Sequence, residues 1–204
     1  MPSSLRRVVP RVALLCTFAP VTAFAGEAGL VVRINGAPTV QHAGKIEPLK
    51  RGSSVSTGDI VETDANSKAK IVLNDDSVLA IGPKSRVDVS SFALETGSRN
   101  VRLQVLAGRF KIAIAKFFGG STDYEIRTAT AVAGVRGTVL WGDTELDAIC
   151  ALDGNIEVRP RSGAGAPAQL SAGQCVSQMA AGRTAPLKPT AEELAAYLRE
   201  VTLD

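Results

Sequence analysis

The stretch KAKIVLNDDSVLAI, residues 68–81, contains two short apolar runs separated by a polar turn. Ala69, Ile71 and Leu73 alternate with their neighbours, and this period of two is the spacing of a half-buried β-strand. Residues 74–77, Asn-Asp-Asp-Ser, have the composition of a tight turn. The stretch therefore predicts two antiparallel strands joined by a hairpin.

The same alternation extends outward from this hairpin in both directions. It continues through residues 101–105 and 110–114, and Gly, Asn, Asp or Pro interrupts it every several residues. The pattern predicts an all-β domain over residues 26–179. We expect stacked short antiparallel strands and hairpins, arranged as a roll or a solenoid-like sandwich.

Two similar units flank the region of alternation. Each has a dipeptide typical of a tight hairpin turn, followed by a short strand that reads L-x2-G-x2-V. The first unit contains Asn35-Gly36 and residues 49–55, and the second contains Asp153-Gly154 and residues 170–176. Hairpin units that cannot bury an apolar side alone are expected to stack, which favours the roll.

The C-terminal segment differs from the rest, because residues 180–204 predict a linker and one amphipathic helix. Thr190 and Glu193 match the capping box S/T-x-x-E. The apolar residues that follow recur at helical spacing and are Leu194, Tyr197, Leu198 and Val201. We predict a helix over residues 191–201. Packing against the domain's own surface is favoured over binding a partner, since an isolated helix of this length is marginal in water.

The N-terminus has the pattern of an export signal. Arg6, Arg7 and Arg11 precede or enter a short apolar run, and Ala23-Phe24-Ala25 fits the A-x-A cleavage pattern. We predict a signal peptide over residues 1–25 and a periplasmic or secreted protein with no membrane span after cleavage. The alternatives are an uncleaved membrane anchor or a buried first strand.

Charge and aromatic content argue against nucleic acid as a partner. The chain has 23 basic and 20 acidic residues, and the predicted signal peptide carries three of the basic residues and none of the acidic ones. The remainder is electrically balanced, so it has no basic footprint for nucleic acid. Aromatic residues are 4% of the chain, too few for a stacking platform for bases or sugars.

Cys150 and Cys175 remain after the predicted cleavage, and a disulfide between them is expected in an oxidising compartment. The alternative is a pair of free buried thiols. The spacing is not that of a metal site, and we expect no metal and no cofactor. Cys150 shares one side of a predicted strand with Leu146, Ala148 and Leu152, so it is expected at a core-facing position, and a disulfide there is expected to lie in the sheet interior rather than in a loop.

Candidate catalytic groups are few. His42 is the only histidine, and the chain has no sequence motif of a serine hydrolase, zinc protease or P-loop protein. We therefore predict a protein that is not an enzyme. Trp141, the only tryptophan, is expected to anchor the core.

The acidic residues offer one alternative to this view. Asp143, Glu145 and Asp147 alternate, so they are predicted to share one strand face. This face suggests either a cation site or a carboxylate pair, and a solvated outer face is the favoured interpretation. Asp75-Asp76 is expected to be an ordinary turn. Lys68 and Lys70 are expected on an edge strand or a solvent face.

The segment IRTATAVAGVRGT, residues 126–138, carries a family resemblance together with the Gly-Pro turn after residue 81. The signature residues are Gly82, Pro83, Thr128, Thr130, Gly134, Val135, Arg136, Gly137 and Thr138. They resemble the FecR family, and the likeness covers about residues 29–178. The chain departs from the usual family pattern at Ala129, where Pro is usual, and at Asp76, where Gly is usual.

The resemblance implies a sensing or interaction module that acts without catalysis. Family members usually join such a domain to a transmembrane helix and a cytoplasmic segment that signals to sigma factors, and we expect neither segment in this protein. We expect a protein partner in the cell envelope, in signalling or assembly, recognised through strand edges or exposed loops. The alternatives are a secreted enzyme acting on envelope polymers, for instance through Asp143 and Glu145, or a structural surface protein. Arg136 is expected to bind carbonyl or carboxylate oxygens within the domain rather than a ligand.

Overall fold

Two large β-sheets, which we name sheet I and sheet II, form the protein in a computed structural model that describes residues 26–118, 120–163 and 165–203. The predicted signal peptide and its cleavage motif lie outside these residues. In chain order the strands are β1 (Glu27–Asn35), β2 (Thr39–His42), β3 (Lys45–Pro48), β4 (Ser54–Ser56), β5 (Ile60–Glu62), β6 (Lys68–Leu73), β7 (Val78–Ile81), β8 (Arg86–Glu95), β9 (Ser98–Ala107), β10 (Arg109–Ala113), β11 (Ser121–Arg127), β12 (Ala131–Val135), β13 (Val139–Asp143), β14 (Ala148–Asp153), β15 (Asn155–Pro160), β16 (Ala168–Ser171) and β17 (Gln174–Ser177).

The chain alternates between the two sheets as it proceeds. Sheet I has the strand order β17-β14-β13-β10-β7-β6-β1-β4, and sheet II has the order β16-β15-β12-β11-β9-β8-β5-β2-β3. Nearly all neighbouring strands are antiparallel, which confirms the predicted all-β class with stacked short strands. The exception is the parallel pair β9 and β11, because β10, which lies between them in the chain, belongs to the other sheet.

One predicted hairpin is confirmed, whereas two others are wrong. Residues 74–77 join β6 to β7 as a tight antiparallel turn within sheet I. In contrast, Asn35-Gly36 and Asp153-Gly154 carry the chain from sheet I to sheet II. Both edges of β1 are already occupied by β4 and β6, and both edges of β14 by β13 and β17. The following strand therefore has no free edge to pair with and must enter the opposite sheet.

The main core lies between the inner faces of the two sheets. Ile71 and Phe110 of sheet I belong to this core together with Leu103 and Ile126 of sheet II. None of the four is more than 1% exposed. The alternation seen in the sequence thus separates inner from outer positions correctly in these strands. Burial of such apolar side chains is the main favourable contribution to folding.

A second, smaller apolar cluster lies on the outer face of sheet I, beneath the helix α1 (Ala191–Val201). Tyr197 stacks on Trp141 with ring centroids 4.5 Å apart. Thr190 and Glu193 form the predicted capping box, and the helix has the predicted bounds. It packs on the domain's own surface, as expected. The described residues 26–203, apart from the two single-residue gaps, include no helix long and apolar enough to cross a membrane.

The predicted disulfide joins Cys150 of β14 to Cys175 of β17, which are directly opposite each other in the ladder. Both cysteines are buried, as expected for a core position, and they lie in the outer cluster under α1 rather than in the main core. Ile149 and Ala151, the neighbours of Cys150, point into the main core instead. Both faces of β14 are apolar because both are covered, so periodicity did not reveal which face met the second sheet.

Candidate functional site

The part of sheet I that α1 leaves uncovered has an apolar stripe on its outer face. The register places five apolar side chains side by side across five neighbouring strands. The stripe, named the apolar stripe below, consists of Leu30, Val72, Val78, Ala113 and Val139. Leu30 is 44% exposed and the other four are partly exposed. A contiguous apolar row at the surface of a folded domain is a candidate interaction site.

A row of cationic side chains lies next to this stripe. Arg33 is opposite Lys70, Lys70 is opposite Ala80, and Ala80 is opposite Lys111. We name Arg33, Lys70 and Lys111 the cation row. Within the described residues none of the three forms a hydrogen bond through its side chain or an ion pair. The lysines of β6 lie on a central strand between β1 and β7, so the expected edge position was wrong and the expected solvent face is correct.

The C-terminal end of α1 borders this surface. Lys68 donates from Nζ to the carbonyl oxygens of Arg199 and Thr202, at 2.9 and 3.1 Å, which suits a cation at a helix C-terminus. A cleft of about 650 Å³ beside it is lined by Arg33, Lys68 and Arg199 among other residues. A second cleft of about 160 Å³ is lined by Lys70, Lys111 and apolar residues. No acidic side chain of the described residues lines either cleft.

Sheet II differs, because the arginines of its central strands are already paired. Glu125 accepts hydrogen bonds from Arg102, Arg127 and Arg159, at donor–acceptor distances of 3.2, 2.5 and 3.3 Å. Partial burial raises the pKa of Glu125, but the hydrogen bonds from Arg127 and Arg102 outweigh it and hold the pKa below its ordinary value. The unpaired cations of sheet I therefore mark the stronger candidate for a charged partner.

His42 lies at the end of β2, where its Nδ1 is 2.5 Å from Oδ1 of the buried Asp59. Such a pair resembles part of a catalytic triad. Asp59 also accepts a hydrogen bond from the backbone N–H of Ser56, an interaction that shapes the loop before β5. No hydroxyl or thiol group of the described residues is hydrogen-bonded to the imidazole. The nucleophile that a hydrolase of this type requires is not in place there.

The acidic residues Asp143, Glu145 and Asp147 do not share a strand face, so that expectation was wrong. β13 ends at Asp143, and the other two belong to the turn before β14. Asp143 is buried and accepts from Arg109 Nε at 2.7 Å and from two backbone N–H groups. This hydrogen bond raises the pKa of Arg109 above its ordinary value. Asp147 bonds Thr130 instead.

A cleft of about 210 Å³ lies beside Asp143, and Arg109, Trp141 and Tyr197 line it together with Asp143. Glu145 does not line it. The carboxylate pair proposed for an enzyme acting on envelope polymers therefore does not converge on a cleft. Within the described residues, no group of three His, Cys, Asp or Glu side chains is arranged to hold a metal ion.

Asp75 was expected to be an ordinary turn residue, but its side chain is buried and pairs with Arg99 at 2.9 Å. The guanidinium of Arg99 also donates to the carbonyl oxygen of Ala115 and lies over the rings of Phe117 and Tyr124. This ion pair joins the β6–β7 turn to sheet II. No sequence pattern predicted this ion pair, because turns with paired aspartates are usually solvated.

Gly82 and Pro83, the two signature residues that follow β7, form a turn near the C-terminal end of α1. Gly82 follows β7, and a Cβ there would lie 3.1 Å from the backbone oxygen of Glu200 and 3.2 Å from Cβ of Arg109. Its carbonyl oxygen accepts from Thr63, and that of Pro83 accepts from Ser85. The Gly-Pro turn thus packs beneath the end of α1.

The remaining signature residues surround β12. Thr128 accepts at Oγ1 from the N–H of Ala131 and closes the turn before the strand. Val135 and Thr138 are buried, whereas Gly134 and Gly137 are partly exposed. Arg136 is exposed, and its guanidinium has no hydrogen-bond or ion-pair partner within the described residues. The contact expected for Arg136 within the domain is therefore not formed there.

Comparison with known proteins gives a family and a fold. The model of the family described as "FecR protein" matches residues 59–164, which extend from the residue before β5 to beyond β15. No curated protein matches the chain.

Two crystal structures of a candidate anti-sigma factor from Parabacteroides distasonis ATCC 8503 have a similar fold. The 1.65 Å structure has a TM-score of 0.54 at 15% identity, and the match covers 68% of this chain and 64% of that chain. The 2.50 Å structure has a TM-score of 0.53 at the same identity, with 68% and 63% coverage. The match therefore spans less than two thirds of either relative.

Proposed function

The chain belongs to the FecR protein family, and we propose that it is a non-catalytic, extracytoplasmic module that binds a protein partner in envelope signalling or assembly. The structural relatives are candidate anti-sigma factors, and a regulatory role fits that kinship. The predicted signal peptide and the disulfide both suit an oxidising compartment outside the cytoplasm.

The observation that carries this proposal is the uncovered part of sheet I. The apolar stripe and the cation row lie side by side on central strands, where the ladder of backbone hydrogen bonds holds their spacing fixed. A surface of this kind provides apolar contact area together with charge, and protein interfaces combine the two.

Strand edges, which the sequence suggested as binding sites, are less suitable. At one end of the molecule sheet I finishes with the three-residue β4, and sheet II finishes with β3, which contains Pro48. At the other end β17 is bridged by Leu187. Short strands and a proline limit the addition of a partner strand. The face of sheet I, rather than an edge, is therefore the proposed binding surface.

The test is affinity capture from the cell envelope with matched variants. Val78→Asp places a charge in the apolar stripe, and Val132→Asp places the same charge on the outer face of sheet II, in a strand that is likewise central. We expect one envelope protein, identified by mass spectrometry, to copurify with the wild type and with Val132→Asp but not with Val78→Asp. Thermal melting of both variants checks that they remain folded.

Two results would contradict the proposal. If both variants capture the same proteins as the wild type, the face of sheet I is not the binding surface. If the purified chain instead hydrolyses envelope polymers, and His42→Ala abolishes that activity, the chain is an enzyme.

A further inference from the structure

The occupant of this face can be specified further, and the inference rests on the proposed function. We propose that the partner presents an acidic amphipathic helix, which lies across the strands of sheet I with its apolar side on the apolar stripe and its carboxylates on the cation row.

The stripe has the dimensions of a short helix. It crosses β1, β6, β7, β10 and β13, and neighbouring strands are about 4.8 Å apart, so its length is about 19 Å. An α-helix rises 1.5 Å per residue, so about 13 residues cover that distance. A helix of this size carries an apolar side of three or four residues, which matches one row of side chains.

Backbone hydrogen bonding favours a helix over an extended segment. The stripe is on the face of central strands, whose N–H and C=O groups are already paired on both sides. An extended segment laid across that face would have no ladder partners and would bury unpaired polar groups. A helix satisfies its own backbone groups and needs only side-chain contacts.

Charge determines which kind of helix fits. Arg33, Lys70 and Lys111 have no ion pair within the described residues, and the clefts beside them lack acidic side chains there. An acidic helix supplies the missing carboxylates, whereas a basic helix is repelled.

The chain itself provides a precedent. α1 is an amphipathic helix with Glu192 and Glu193 in its first turn, and it already covers the neighbouring part of the same face. Its Glu200 lies 3.6 Å from Arg109, and Tyr197 packs on Trp141. A second helix beside α1 would repeat these contacts on the uncovered strands.

The experiment uses three synthetic peptides of about 14 residues, each held helical by one side-chain staple. The first has Leu at helical spacing with Glu elsewhere, the second has Lys in place of Glu, and the third has the first composition with the Leu positions scrambled. Binding to the purified chain is measured by fluorescence anisotropy. We expect only the acidic amphipathic peptide to bind.

Charge-reversal variants connect that binding to the proposed face. Lys70→Glu with Lys111→Glu is expected to weaken the acidic peptide by roughly tenfold or more and to permit binding of the basic peptide. Lys45→Glu with Lys50→Glu is the matched control, because it makes the same charge change at exposed positions on β3 and the loop after it. Melting curves confirm that both variants are folded.

Several outcomes overturn the inference. It fails if no peptide binds, if the basic or scrambled peptide binds as well as the acidic one, or if the two double variants behave alike. It also fails if Lys70→Glu with Lys111→Glu abolishes self-association of the chain and no peptide binds, which would identify a second copy as the occupant. If envelope capture still depends on Val78 in these cases, the proposed function survives without the acidic helix.

Discussion

The first four strands and the last four strands follow the same path at opposite ends of the sandwich. In each unit the chain leaves sheet I at an Asn-Gly or Asp-Gly turn, forms two paired strands in sheet II and returns to pair with the strand where it began. Gly36 and Gly154 have φ values of 70° and 71°. Gly52 and Gly173 each donate to a carbonyl oxygen of the first strand at 2.8 Å.

The difference between the units lies on the outer face. Cys150 and Cys175 form the disulfide in the second unit, and α1 covers them. The corresponding pair in the first unit is Leu30 and Ser54, which are opposite each other without a covalent link, and Leu30 is 44% exposed. The same backbone unit therefore serves as a covered, cross-linked end on one side and as an uncovered end on the other. The candidate binding surface begins at the uncovered end.

Removing the disulfide makes the two end units more alike, and of the changes considered it should lower the free energy of unfolding the most. Cys150→Ala with Cys175→Ala is expected to lower the free energy of unfolding by about 3 kcal/mol, because the cross-link restricts the unfolded chain. Urea denaturation measures the loss. Adding reductant to the wild type should give a similar loss, and unchanged stability in both experiments would show that the bond does not form.

Gly36 and Gly154 lie in the two turns that carry the chain from sheet I to sheet II, and alanine variants test whether these turns are equivalent. Alanine at position 36 would place Cβ 2.7 Å from the backbone oxygen of Asn66, whereas at position 154 the nearest atom is a methyl carbon of Thr138 at 2.5 Å. Backbone atoms move aside less readily than a side chain. Gly36→Ala should therefore lower the free energy of unfolding more than Gly154→Ala does, by about 2 kcal/mol or more.

Gly52→Ala is the control for the glycine variants, because this residue has positive φ and open space around it. It should cost only about 1 kcal/mol, from backbone strain alone. Equal losses in denaturation experiments at positions 36 and 52 would contradict the proposed contact with Asn66.

The cover over the second unit depends on one aromatic stack. Tyr197→Ala removes the ring that lies on Trp141, and we expect about 1 kcal/mol of destabilisation of the docked helix. Trp141 is the only tryptophan, so its fluorescence emission should shift to longer wavelength as water reaches the indole. Tyr197→Phe should keep the native emission, and an unshifted spectrum for Tyr197→Ala would disprove the role of the stack.

The smallest expected effect concerns the start of α1. Hydrogen bonds from the backbone N–H and the hydroxyl of Thr190 lower the pKa of Glu193 below its ordinary value of 4.5. A lowered folded-state pKa stabilises the capped helix above pH 4.5 and ceases to do so as the pH falls through that folded value. Trp141 fluorescence should therefore report weaker docking in acid.

Two variants separate this effect from general acid unfolding. Glu193→Gln should remove that part of the pH dependence, whereas Glu192→Gln in the same turn should retain it. Identical acid profiles for the two variants would show that the capping box does not contribute.

Local patterns in the sequence predicted the elements well, but not how they connect. The alternation at residues 68–73 and 101–105 placed the buried side chains correctly, and the capping box at Thr190 located α1. The Asn35-Gly36 turn was misassigned because a hairpin and a crossover require the same positive φ. Only the occupation of both edges of β1 distinguishes them, and that depends on strands far away in the chain.

The candidate site could not be predicted for a similar reason. Its members extend from Leu30 to Val139, and strand register alone brings them into adjacent rows. For an individual residue such as Lys70, the sequence pattern did not distinguish an edge strand from the solvent face of a central strand. The shared strand face of Asp143, Glu145 and Asp147 was a wrong prediction, because the alternation of these acidic residues continues past the end of β13. The Asp143 carboxylate accepts a hydrogen bond from Arg109 instead.

The repeated passage of the chain between the sheets has a consequence for how the domain folds. β9 and β11 pair in parallel, and the intervening β10 belongs to the opposite sheet. Neither sheet is assembled from one continuous segment, so neither can persist once the other is lost. Folding should accordingly be slow, since long-range pairing dominates, and should proceed as one cooperative transition without a stable half-molecule.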